Sequence, residues 1–300
     1  MLDVSIASSR SLAPAQEIPL SLDEMIYSVT SGALEDSGLG ISDVRGSVMA
    51  ASDLYDGRAI STMTLTGSTG SFHKSEMRVC NDSLGALMLA AAEVGSGAAD
   101  AVIVGTWSKL SDATRDAIVP LAIEPVFGRG LRYHPDAVVA LRESGETGRA
   151  TCVAGSAVSA VDVATAMVLT RGGLATTPKG RIRSFGASTG SYLIPRHPLL
   201  EPLAQSASRA LAAAAIGIED VSAIWVAGLV GVPALRVAAA LGVDPDRVRR
   251  GADMRADLGY AAGLTALHAA LQAGEQGPVM VVSGGGIGLE NTFATVVDVA

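Results

Sequence analysis

Three hundred residues can bury a large core, either as one large domain or as two fused halves. Nearly half of them are hydrophobic (49%), charged residues are sparse (17%) and 34 are glycine, a composition that suits a compact α/β protein packed on Ala and Gly. A formal net charge of −8 argues against a nucleic-acid surface, and two cysteines without metal-ligand spacing exclude a disulfide framework and a cysteine metal site. Met1 to Ala7 lacks a basic region followed by a long apolar one, and no apolar run reaches the length of a membrane span. A cytoplasmic protein with no membrane partner is expected.

Taken in order, Asp3 to Ser9 alternates as a first strand and is followed by a linker with Pro14 and Pro19. Ser21 to Ser37 reads as a helix: Ser21 and Glu24 form a capping-box pair and Gly38 closes the far end. Val44 to Ala51 is a short apolar run with strand character, Tyr55 to Arg58 is a turn, and Ile60 to Phe72 has no clear period. Met77 to Val79 predicts a strand and Asp100 to Gly105 a buried one. Between them Leu84, Leu87, Met88, Ala91 and Val94 recur at helical spacing, ended by Gly95 and Gly97. Further on, Val158 to Leu169 reads as a helix, and Cys152 as a packed strand or turn cysteine.

Cys80 stands at the mouth of the Leu84 helix, preceded by Arg78-Val79 and followed by Asn81, Asp82 and Ser83, three residues that favour helix starts. The positive end of a helix dipole favours a thiolate, the form a nucleophile needs. A buried free cysteine is the plain alternative.

From about residue 178 the chain starts over. At a constant offset of 177, Leu22 and Glu24 match Leu199 and Glu201. Gly40-Ile41 and Asp43-Val44 match Gly217-Ile218 and Asp220-Val221. Leu34, Leu87, Gly97, Val102 and Val104 match Leu211, Leu264, Gly274, Val279 and Val281. One offset holding from end to end predicts a duplicated unit, and the alternation of helix and strand in each predicts sheets covered by helices. Cys80 falls opposite Asp257, so the cysteine turn belongs to the first half alone.

The segment Arg78 to Asp100, the duplicated units and the run Val281-Val282-Ser283-Gly284-Gly285-Gly286-Ile287-Gly288 together resemble the thiolase superfamily. That superfamily includes thiolases, ketoacyl synthases and the sterol-carrier or lipid-transfer thiolases. Leu54 to Ser61 and Glu124 to Arg129 are most similar to the lipid-transfer branch, whereas the chain length and the Ser-Gly-Gly-Gly-Ile ending are closer to the ketoacyl synthase III type. The resemblance implies an α/β fold of five layers, αβαβα. Its halves would be 1–115 and 178–300, with 116–177 inserted between them. It also implies a homodimer or a heterodimer with a related thiolase-like chain.

By the same resemblance, Cys80 is a catalytic nucleophile that takes an acyl group from acyl-CoA or an acyl carrier protein, in an acyltransferase or condensing enzyme of a biosynthetic pathway. The amides of Cys80 and Gly285 would form the oxyanion site, although a glycine run also serves tight packing at a strand end. No cofactor is implied beyond the coenzyme A or phosphopantetheine that the substrate carries. Arg58 and Lys74 are candidates for its phosphates, or else solvated charges.

The partner residues of the family are changed. In place of the thiolase Gly-His-Pro stands Gly259-Tyr260-Ala261-Ala262-Gly263, and Val282 or Ser283 takes the place of the second cysteine. The histidine and asparagine of ketoacyl synthase III would fall near Ala227-Gly228 and Leu258. Self-acylation is expected to survive these changes better than carbon–carbon bond formation. Tyr260 is a candidate proton donor, as in aldolase-like members of the lipid-transfer branch, or a core-filling aromatic. His73 precedes the cysteine strand and is a candidate catalytic group or an ordinary loop residue. His268 falls mid-helix, packed or facing solvent, while His134 and His197 carry no signal. A non-catalytic, ketosynthase-like subunit completing a related active chain remains the third reading.

Overall fold

The computed structural model describes residues 3–53, 61–113, 159–190, 200–230, 232–253, 256–285 and 291–300. The first half runs β1 (Val4–Ser11), α1 (Leu22–Ser37), β2 (Gly46–Ala50), α2 (Thr62–Leu65), β3 (Ser75–Val79), α3 (Ser83–Gly95), β4 (Ala101–Lys109), β5 (Ser159–Ala160) and β6 (Asp162–Arg171). The second runs β7 (Gly180–Thr189), α4 (Glu201–Ala214), β8 (Ala223–Ala227), α5 (Ala234–Leu241), β9 (Val248–Arg250), β10 (Ala256–Asp257), α6 (Ala262–Gln272), β11 (Gly277–Gly285) and β12 (Asn291–Val299).

The strands hydrogen-bond in the order β3-β2-β4-β6-β1-β7-β12-β11-β8-β9. This is one five-strand pattern followed by its own reversal. The halves meet where β1 and β7 pair antiparallel over Val4↔Ile182, Ser5↔Arg181 and Ile6↔Gly180. The offset of 177 is visible in space. It relates β2 to β8, the 3-10 turn Ile41–Asp43 to Ile218–Asp220, and the last residue of α3 to the last residue of α6. Even the turn chemistry repeats: Asp43 accepts from the Gly40 N–H at 2.8 Å and Asp220 from the Gly217 N–H at 2.9 Å.

Three apolar clusters make five layers of the two halves. Along β4, Val102 and Val104 face a central cluster, whereas Ala101 and Ile103 face an outer one under α1. Along β11, Val279 and Val281 face the same central cluster, and Met280 and Val282 face the second outer one, under α4 and α5. This period of two, apolar on both sides, is what a sheet covered on both faces requires. The central cluster holds α3 and α6, whose Ala and Gly positions let them lie between the sheets. Helix α1 is anchored as expected: the Ser21 and Glu24 capping box is complete and Gly38 closes it in the left-handed conformation.

One expectation is corrected. The stretch read as a helix from Val158 to Leu169 holds most of strand β6, which pairs with both β4 and β1. Val163, Ala164, Ala166, Met167, Val168 and Leu169 are all fully buried. A strand covered on both faces has no polar side to reveal its period.

Close packing depends on bare backbone at Gly186 in β7, where an added Cβ would overlap the Ser206 carbonyl and approach the Ala210 nitrogen of α4 at 2.6 Å. At Gly67, by contrast, an added Cβ meets nothing within 4 Å. Gly186→Ala is therefore expected to lower stability by about 3 kcal/mol, and Gly67→Ala to leave it within about 0.5 kcal/mol, as read from urea unfolding midpoints.

Candidate active site

Strand β3 delivers Cys80. Its last residue, Val79, pairs with Ala50 of β2, and the chain then turns through Cys80 and Asn81 into α3. Cys80 is an exposed residue with a free thiol. The helix cap is Asp82, whose Oδ1 accepts from the Leu84 N–H at 2.9 Å. The positive end of α3 is thus matched to the Asp82 carboxylate, and Cys80 stands two residues outside it. This refines the expectation that the thiol itself opens the helix.

Asp82 is fully buried. Besides Leu84, it accepts from Ser283 Oγ of β11 at 2.6 Å and from the Gly263 N–H at the start of α6. Burial pushes its pKa up to about 6, against the opposing pull of these three donors. Next to it, Ser83 Oγ accepts from the Leu264 N–H at 2.9 Å. Helix α6 has no side-chain cap of its own. Its first amides are capped instead by Asp82 and Ser83, from the helix of the other half. The fit leaves no room at Gly263, where an added Cβ would lie 2.5 Å from Asp82 Oδ1 and 2.6 Å from Leu84 Cγ.

The end of β11 is joined to this junction through Ser283, and Gly284 and Gly285 close the strand. Gly228, just past β8, has φ of 69° and packs against the Gly284 carbonyl so closely that any side chain there would overlap it. The structure therefore brings together the start of α3, the end of β11, the end of β8 and the start of α6. The corresponding strand end of the first half is filled. Trp107 is buried beneath the Arg78 guanidinium, 4.6 Å from the ring centre, and Lys109 is held by Asp162 at 2.7 Å. At the offset of 177, Gly284 stands opposite Trp107.

The other candidates divide. Gly285 lies on β11 as expected, and Tyr260 is half-buried on the 3-10 turn Gly259–Ala261 that leads into α6. His73 and Lys74 lie at the far end of β3, separated from Cys80 by the length of that strand, about 16 Å at 3.3 Å per residue. His73 stacks edge-on with Phe72. The Lys74 ammonium binds the carbonyls of Ile41 and Val44, the latter at 2.7 Å. Arg247 does the same for Ile218 and Val221 in the half that has no cysteine turn. Lys74 is thus a clamp of the repeated scaffold, and neither His73 nor Lys74 adjoins the cysteine. Arg58, Cys152, His134 and His197 lie outside the described residues. His268 is on α6, with its Nδ1 2.7 Å from Ser9 Oγ, and burial lowers its pKa. No metal-ligating cluster occurs among the described residues.

The positions where ketoacyl synthase III would place its histidine and asparagine, near Ala227-Gly228 and Leu258, line one small cavity of about 10 Å³ together with Ala262 and Arg250. That is little more than the room one water needs. The Arg250 guanidinium is held by the Val232 carbonyl. Asp82 is the residue that sequence reasoning missed, since it was read only as one of three helix-start residues. Ser283 was noticed, with Val282, as a possible place of the second cysteine but not as a hydroxyl committed to Asp82.

Searches found no matching family model and no matching curated protein. Solved structures do match along nearly the whole chain. A thiolase (Acat5) from Ascaris suum in complex with coenzyme A aligns with a TM-score of 0.70 and 15% identity, covering 99% of this chain and 100% of that one. An OleA variant from Xanthomonas campestris aligns with a TM-score of 0.69 and 15% identity, covering 98% of each. An acetyl-CoA acetyltransferase from Bacillus anthracis aligns with a TM-score of 0.71 and 14% identity, covering 100% and 99%. The fold is that of the thiolase superfamily.

The Asp82 carboxyl binds its proton more tightly in the folded chain, at about 6 against an ordinary 3.8, so its stabilising contribution is full below about pH 4 and is lost as pH rises through 6. Asp82→Asn keeps an acceptor for the two amides and offers a donor to Ser283, without that loss. Its stability relative to wild type is expected to rise by about 2 kcal/mol between pH 4 and pH 7 in urea unfolding. A difference that stays constant with pH would rule this out.

Proposed function

We propose that this chain is a thiolase-fold acyltransferase that carries an acyl group on Cys80. What supports it most is the bonded link from Asp82, two residues after Cys80, to Ser283 at the start of the glycine run, with Cys80 itself an exposed residue. The Cys80 thiolate would attack the carbonyl of an acyl-CoA or acyl-carrier-protein thioester. The tetrahedral oxyanion would be met by the amides of Cys80 and Gly285, and its collapse would expel the pantetheine thiolate and leave an acyl-cysteine. Of the similar proteins, one was solved with coenzyme A and another is an acetyl-CoA acetyltransferase. Coenzyme A or phosphopantetheine enters as part of the substrate.

The second step favours transfer of the acyl group to an acceptor over carbon–carbon bond formation. The place of the second thiolase cysteine falls at Val282, which is buried, or at Ser283, whose hydroxyl is bound to Asp82. At the cavity where a condensing enzyme polarises its second thioester, Ala227, Gly228 and Leu258 offer no imidazole or amide side chain. Two other readings stay in play. Tyr260, half-buried on the turn before α6, suits an aldolase-type role as proton donor. The replaced histidine and asparagine suit a ketosynthase-like subunit that completes a related chain in a heterodimer.

Incubation with acetyl-CoA and with a longer acyl-CoA, followed by intact-mass spectrometry, is expected to show an acyl adduct in wild type and none in Cys80→Ala. Lack of an adduct in wild type, alongside a co-purified chain that does become acylated, would replace this reading with the subunit one. Loss of turnover in Tyr260→Phe, with none in Cys80→Ala, would favour the aldolase-type reading.

A further inference from the structure

We propose that Asp82 is a positioning residue for acyl transfer, which acts through Ser283 to hold the Gly284-Gly285 backbone in place beside the Cys80 turn. The proposal rests on the acylation of Cys80 put forward above. Asp82 itself is fully buried and cannot touch a substrate, but each of its three donors belongs to a different part of the site. Leu84 N–H belongs to the helix after Cys80, Gly263 N–H to the helix after Tyr260, and Ser283 Oγ to the strand that ends in the glycines. Gly284 and Gly285 have no side chains to pack, so beyond their pairing with Thr292 and Asn291 of β12 their position depends on what touches the backbone. Gly228 blocks one direction by lying against the Gly284 carbonyl, and the 2.6 Å bond from Ser283 to Asp82 fixes the other. An oxyanion donor misplaced by a fraction of an ångström loses much of its effect.

Two reactions of the same sulfur separate positioning from general disturbance. Acylation by acetyl-CoA forms an S–C bond through a tetrahedral oxyanion and expels the coenzyme A thiolate. Alkylation by iodoacetamide forms an S–C bond by direct displacement of iodide and develops no such oxyanion. In Asp82→Ala and Ser283→Ala, acylation of Cys80 is expected to slow by about 10- to 100-fold, with alkylation within about twofold of wild type. The double variant is expected to be no slower than the slower single one, because both remove one link. Ser283→Ala deletes a single hydroxyl and keeps the test open should Asp82→Ala fold poorly. Unchanged acylation in Ser283→Ala, or an equal fall in both reactions, would overturn the proposal while leaving the role of Cys80 intact. Wild type that is alkylated but never acylated would overturn the Cys80 reading and this proposal with it.

Discussion

One buried carboxylate organises the middle of this protein. The α3 and α6 helices begin side by side between the sheets, one from each half, and both direct a backbone N–H at Asp82. A carboxylate in that position is costly unless its lone pairs are matched. Two amides and a serine hydroxyl match them, and Ser83 satisfies the next amide of α6. The contact requires close backbones, which explains why Gly263 faces Asp82 and why Gly85 on α3 lies under the Phe293 ring. The relative placement of the cysteine turn and the glycine strand follows from this one junction.

Duplication provides an internal comparison that separates scaffold from site. Where both halves share a device, it belongs to the scaffold. Lys74 and Arg247 tie the same pair of carbonyls in each half, and Asp43 and Asp220 cap the same turn. Where the halves differ, the difference marks the site. Strand β4 ends in Trp107 and Lys109, both buried, whereas β11 ends in glycine. The second copy carries no side chains at the strand end that follows Ser283, the residue bound to Asp82.

Much of this was legible in the sequence. The offset of 177 survived because turn glycines, turn aspartates and buried valines keep their spacing even where other residues drift, and it announced both the duplication and the layers. The Ser21 and Glu24 capping box was readable because it is local. Strand β6 was not, because a run apolar on both sides has neither a helical nor a strand period to read. The long-range bonds of Asp82 and Lys74 were illegible for a different reason. Their partners lie 201 and 30 residues away in the chain, so no local pattern tells a committed side chain from a free one.

The cross-capping of α6 also bears on how the chain comes to fold. The bond from Ser283 to Asp82 spans 201 residues and that from Leu264 to Ser83 spans 181. A nascent chain emerging from the ribosome presents Asp82 long before the groups that satisfy it have been made. The amino-terminal half must therefore wait with its inner layer open to water, and closure of that layer is a late, long-range and slow event. The same bonds that set the geometry of the cysteine turn make its assembly depend on the last strands to be synthesised.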